Sequence, residues 1–181
     1  MSVTLILMLP TKASAQFQRK DYFLKPQVGL WFGPTTPIFD TADLVDNNLG
    51  IGTFIRYNTP FHPLKIGVET AYEYFSSRGV NKLYFVPVYG NFLYLLPLNL
   101  PIKIQAKGGL GGAWMKIIPD DESRWNPIVN TGVEFSFPAG RTFNIGLRID
   151  YFYIYEGYLK NSIMNGHIIN SGIQVFININ I

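Results

Sequence analysis

The chain has 181 residues, a net charge of +3 and no cysteine. Its lysines and arginines are scattered, with no basic run or basic helix, which argues against a nucleic-acid partner; the missing cysteines exclude disulfides and thiolate metal sites. Aromatic residues make up 15% and charged residues 15%, the latter well below the roughly 25% of ordinary soluble domains. Mean hydropathy is only slightly positive, too low for a bundle of membrane helices. Alternating strands dilute their apolar residues with polar ones, so a membrane barrel is compatible with such a mean.

At the N-terminus, residues 3–9 are an apolar run, and Ala13-Ser14-Ala15 has the small-x-small form of a cleavage site before Gln16. The run is short and has no positive charge ahead of it, yet a signal peptide over 1–15 is the preferred reading. Residues 16–26 then form a polar periplasmic lead-in, and 27–181 one domain. The first strand is placed at 27–33, QVGLWFG, with Trp31 and Phe32 in an interfacial aromatic belt. A long acidic loop, 34–47, follows with Asp40, Asp43 and Asp46. In the second strand, 48–57, Leu49, Ile51, Thr53, Ile55 and Tyr57 share one face, and Gly50, Gly52, Phe54 and Arg56 the other.

The third strand carries the clearest pattern. In 64–74, LKIGVETAYEY, Leu64, Ile66, Val68, Thr70, Tyr72 and Tyr74 alternate with Lys65, Gly67, Glu69, Ala71 and Glu73. The run exceeds the usual five or six residues of a strand and matches the roughly 9–11 that a tilted strand needs to cross a bilayer. A fourth strand, 83–95, puts Tyr84, Val86, Val88, Phe92 and Tyr94 on one face; Pro87 cannot donate to a ladder and is expected at a bulge. The stretch 83–102 is long enough for a membrane helix, but Pro87, Gly90, Asn91, Pro97 and Pro101 break it into two strands and a turn. The fifth strand, 102–116, sets Ile104, Ala106, Leu110 and Trp114 against Lys103, Gln105, Lys107, Gly109 and Ala113.

A loop is expected at 117–126, with Asp120-Asp121-Glu122, before a sixth strand at 128–137 that points Glu134 inward. After a tight turn at 138–141, the seventh strand, 142–155, points Arg148 and Asp150 inward, and the eighth begins near His167. The expected connections alternate: short at 58–63, 96–101 and 138–141, longer at 34–47, 76–82, 117–126 and 156–166. Short periplasmic turns and longer outer loops follow the rule for membrane barrels. The reading is therefore all-β, an eight-stranded antiparallel up-and-down transmembrane β-barrel.

In this form the chain resembles the small outer-membrane barrels of the OmpA/OmpX type, over nearly all of 27–181. Two local features carry the resemblance beyond architecture. The pair VPVYGNFLYLLP and PIKIQAKGGLGGAW, between Val86 and Trp114, is similar to the family's central hairpin, a proline-bearing strand before a glycine-rich one. The last strand, NSGIQVFI, is similar to the signal read by the barrel-assembly machinery, through Asn170, Gly172, Val175 and Ile177. The final residue, Ile181, departs from the aromatic that often ends such chains. The resemblance implies a bacterial outer-membrane location, contact with outer-membrane lipid and lipopolysaccharide, and a protein partner reached through the loops.

The inward positions gather Arg56, Lys65, Lys103, Lys107 and Arg148 with Glu69, Glu73, Glu134 and Asp150. Unpaired charges in a narrow lumen are costly, so pairing across strands is expected, in an interior filled by side chains rather than an open pore. Glu69 and Glu73 as paired catalytic carboxylates are the weaker alternative to partners of lumen Lys and Arg. His167-Ile168-Ile169-Asn170 faintly resembles the active-site strand of the outer-membrane lipid A deacylase, but Ile169 stands where a serine is needed. Ser171 lies four residues from His167, too far along a strand for a direct hydrogen bond. Gly108-Gly109-Leu110-Gly111-Gly112 lacks the helix and following lysine of a phosphate loop, and the acidic loops have no calcium-loop spacing. No catalytic residue, cofactor or metal site is assigned.

The expected function is thus that of a structural or surface-interaction protein. The alternatives are an outer-membrane lipid enzyme and a soluble lipocalin-like ligand-binding barrel. Gly29-Leu30-Trp31 has the Gly-x-Trp spacing of the lipocalin family. That reading would turn the faces inside out, with aromatics filling a cup. Glycines on the charged face, such as Gly52, Gly67 and Gly132, favour a crowded polar lumen instead.

Overall fold

The computed structural model describes residues 25–61, 63–77, 82–98, 100–118, 122–140, 143–155 and 165–179. The expected signal peptide and cleavage site, most of the expected lead-in, Asp120, Asp121 and Ile181 lie outside them. Among the described residues, eight strands close into one barrel in chain order, every neighbour antiparallel. They are β1 Gln27–Pro37, β2 Asn48–Asn58, β3 Leu64–Ser76, β4 Lys82–Leu95, β5 Lys103–Ile118, β6 Glu122–Pro138, β7 Phe143–Ile154 and β8 Gly166–Asn178. The β1–β8 pair, Gln27 against Asn178, closes the ring beside the described termini, and closure removes the unpaired edges of an open sheet.

Alternation decides which face is which. Lys65, Glu69, Glu73, Lys107, Glu134, Arg148 and Asp150 are buried, whereas Leu30, Ile55, Val68, Phe92, Leu110, Leu147 and Ile173 are exposed on the outer wall. The charged register thus points into the barrel and the apolar one away from it, opposite to the lipocalin-like arrangement. A wall so apolar is matched to lipid. Among the described residues no helix is long and apolar enough to cross a membrane.

Several expected boundaries are corrected. β1 runs on through Pro34 to Pro37, so Trp31 lies mid-strand, 2% exposed, inside the barrel rather than in an interfacial belt. Phe32 alone of that pair faces out. The 34–47 loop holds a short helix, α1, Asp40–Leu44. The expected loop at 117–126 is largely strand: Trp125 pairs with Trp114, Arg124 with Met115 and Ser123 with Lys116. Residues 119–121 alone separate β5 from β6, and 77–81 separate β3 from β4. The alternation of short and long connections therefore fails at these two hairpins, where the chain invests its length in taller strands.

Pro87 causes no bulge. Its register against Ala113 is unbroken, and β3–β4 pairing stops at Thr70–Val88 and resumes at Glu73–Phe85 without a slipped residue. The ladder is interrupted on the side where the proline has no N–H to give. The glycine run 108–112 is continuous strand; Gly108 and Gly112 leave room for the rings of Phe92 and Trp125 lying across them.

Candidate functional site

Every strand contributes a side chain to one buried cluster within the barrel. Arg56 from β2 forms a two-pronged pair with Glu134 from β6, Nη1 to Oε2 at 2.9 Å and Nη2 to Oε1 at 2.7 Å. Such a fork fixes orientation as well as charge. Gln174 from β8 donates to the same carboxylate at 2.8 Å. Lys107 from β5 donates to Glu69 Oε2 of β3 at 2.7 Å and to the Tyr89 hydroxyl of β4 at 3.1 Å. Its Nζ also lies 3.3 Å from Asp150 and 3.6 Å from Glu134. Arg148 of β7 pairs with both Asp150 and Glu69.

Three cations, Arg56, Lys107 and Arg148, thus share the centre with three carboxylates, Glu69, Glu134 and Asp150. Local neutrality matters because an uncompensated charge away from water costs several kcal/mol or more. Aromatic faces complete the shell. The Arg148 guanidinium lies 4.6 Å from the Trp31 ring centre, and that of Arg56 lies 3.7 Å from Phe54, both suited to cation–π attraction. The inward glycines make room: Gly52 lies against Trp31, Gly67 against Arg56 and Gly132 against Asp150.

The remaining expected lumen residues lie outside this centre. Glu73 accepts from Asn170 Nδ2 at 2.6 Å, one step toward the end remote from the termini. Lys65 sits at the terminal end, donating to the Lys25 carbonyl at 3.0 Å and Asn58 Oδ1 at 2.6 Å. Lys103 is half-buried at that same end, opposite Ser136. Of the four residues matched to the assembly signal, Asn170 and Gly172 have the inward register, while Val175 and Ile177 lie exposed on the wall.

Sequence reasoning missed a second inward layer. Phe75, Phe85, Tyr89, Ala113, Met115, Ile128, Phe152, Ile154 and Ile168 form one buried apolar cluster at the remote end of the barrel, with Val45 and Leu83 against it. Their signal was present: the inward register of β4, β7 and β8 becomes apolar after Tyr89, Asp150 and Asn170 respectively, going outward.

His167 lies on the outer wall. Its Nδ1 is 2.7 Å from the Tyr151 hydroxyl, and its ring stacks on Tyr151 and meets Tyr153 and Phe39 edge-on. Among the described residues no three His, Cys, Asp or Glu converge as a metal site.

No protein-family model matches the chain, and no curated protein matches its sequence. Solved structures do match its fold. The neisserial surface protein NspA superposes with a TM-score of 0.62 at 11% identity, over 85% of this chain and 97% of that one. The N-terminal β-barrel domain of Pseudomonas aeruginosa OprF gives 0.52 at 13% identity, over 84% and 97%. The outer membrane enzyme PagL gives 0.51 at 17% identity, over 84% and 99%. The chain has the fold of the small bacterial outer-membrane β-barrels, of the OmpA/OmpX type.

Proposed function

We propose that the protein is a non-catalytic barrel of the bacterial outer membrane, closed to ions by its own side chains. It serves as a structural or surface-interaction protein whose remote end meets lipopolysaccharide, a surface ligand or a partner protein. The observation that carries this reading is the filled interior, a charge-balanced cluster under an apolar layer. An eight-stranded barrel has room for little else. The non-catalytic part is supported at His167, whose imidazole bonds to a tyrosine on the wall; Ser171 lies four residues along, about 13 Å at strand rise. Delivery would use the barrel-assembly machinery, with Asn170, Gly172, Val175 and Ile177 as the residues read.

The test is fractionation of cell envelopes followed by gel migration with and without boiling, then planar-bilayer recording of the purified barrel. Outer-membrane recovery, faster migration of the unheated form and a silent bilayer are expected. Steady ion steps would remove the closed-lumen reading. Recovery in the soluble periplasm with no heat shift would remove the membrane reading altogether.

A further inference from the structure

One inward acid stands apart from the charge balance of the centre. Arg56, Lys107 and Arg148 are already matched by Glu69, Glu134 and Asp150. Glu73 is a fourth acid, 0% exposed, and among the described residues no cation forms an ion pair with it. It sits at the foot of the apolar layer. Phe75 follows it in the inward register of β3, and Phe85 lies opposite it on β4. An ionised carboxylate there would be a buried charge with no partner, a costly arrangement.

Its hydrogen bonding has a gap of matching shape. Asn170 Nδ2 donates to Glu73 Oε1 at 2.6 Å. The other oxygen of each group, Glu73 Oε2 and Asn170 Oδ1, is buried and has no hydrogen-bond partner. Both are acceptors when Glu73 is ionised, so neither can serve the other. A proton on Oε2 makes it a donor, and an acid facing a carboxamide can close a ring of two reciprocal hydrogen bonds. One proton would thus remove a buried charge and satisfy two buried oxygens.

The surroundings offer no substitute for that proton. From β1 and β2, Thr35, Trp31 and Gly50 crowd against Glu73; β4 brings Phe85 and β8 brings Asn170. The charged groups whose field reaches it are Arg148 and Asp150 of β7 and Glu69 of its own strand. Arg148 is engaged by both of those acids, and the three together sum to a negative charge.

We propose that Glu73 is held as a carboxylic acid paired with the Asn170 carboxamide, and that this pair is a proton-operated latch between the charged centre and the apolar layer. When the Oε2 proton passes to a solvent base, its bonding electrons stay on the carboxylate. The bond to Oδ1 is then lost, and an unmatched charge appears against Phe75 and Phe85. The latch is closed at neutral pH and weakens as pH rises. The inference goes beyond the closed-lumen reading and holds whether or not the barrel conducts.

The test follows urea unfolding of the refolded barrel in neutral-detergent micelles from neutral pH to about pH 9.5, below the main lysine range. Glu73→Gln carries no charge at any pH, keeps the shape and can make both reciprocal bonds. It is expected to match the wild-type midpoint at neutral pH and to hold it on going alkaline, while the wild-type midpoint falls. The difference between the two curves isolates Glu73 from the other groups that titrate. Parallel curves overturn the proposal, and so does a Gln midpoint at neutral pH as low as that of Glu73→Ala. Infrared spectra of the wild type alone give a second measurement, which needs no variant to fold. A protonated-carboxyl band is expected at neutral pH, fading at the alkaline end. Its absence at neutral pH overturns the proposal.

Discussion

At the scale of single residues, the Arg56–Glu134 fork is the most informative contact. Both side chains are fully buried and the bond is two-pronged. Removing one partner strands the other, which typically costs about 3–5 kcal/mol, whereas replacing both with apolar groups of similar volume is often neutral. Glu134→Ala should therefore lower the urea midpoint of the refolded barrel strongly, with heat-shifted migration still present at low denaturant. Arg56→Met/Glu134→Leu should recover most of the loss, because it deletes one charge of each sign and leaves Lys107 and Arg148 facing Glu69 and Asp150. Recovery would fail if Glu134 mattered mainly to Lys107 and Gln174, which also approach it. The three unfolding curves thus tell a paired fork from a shared hub.

At the scale of elements, the strands and their faces were legible in sequence because a half-buried strand must repeat every two residues. Arg56, Glu69, Glu134 and Arg148 could be placed inside from parity alone. Trp31 was not, because its aromatic character outweighed its position: an inward tryptophan needs a glycine across the strand, and Gly52 provides it. The β5–β6 hairpin was misjudged for a related reason. Glu122, Arg124 and Pro127 have loop chemistry, yet pairing with the neighbouring strand overrode local preference. Nothing in the sequence revealed how the β1–β2 connection is tied down. It is anchored at both sides: Ile38 donates to the His167 carbonyl at 3.0 Å and Asp46 to that of Ser76 at 2.8 Å. His167 N–H donates to Thr41 Oγ1 at 2.9 Å. Phe39, at φ 53°, bends the chain to bring its ring onto His167, a conformation costing of order 1–3 kcal/mol. Thr41→Val keeps the shape and removes one tether worth about 1 kcal/mol. Amide exchange over residues 38–47 should then quicken several-fold, with the barrel's thermal midpoint unchanged. Unchanged exchange would mean the other anchors alone hold the connection.

At the scale of the whole molecule, the proposed closed lumen would rest on two buried layers that act by different physics. The central layer would shut it because paired, buried side chains lie across the middle of the barrel. The remote layer would shut it because Phe85 and Tyr89 meet Phe152 edge to face, with Ile154 and Ile168 in the same buried cluster. A narrow apolar constriction excludes ions by refusing water, and Tyr89, bonded to Lys107, joins the two layers. Barriers in series add, so opening one leaves the path blocked. Phe85→Ala/Phe152→Ala should widen the remote layer without producing ion steps in a planar bilayer. Arg148→Ala should loosen the central layer and likewise stay silent. Combining all three substitutions, in a barrel that still migrates with a heat shift, should give measurable conductance. Steps from the aromatic pair alone would show that the charged layer is porous to ions. Steps from Arg148→Ala alone would show that the aromatic layer wets freely, leaving the salt-bridged centre as the barrel's one seal.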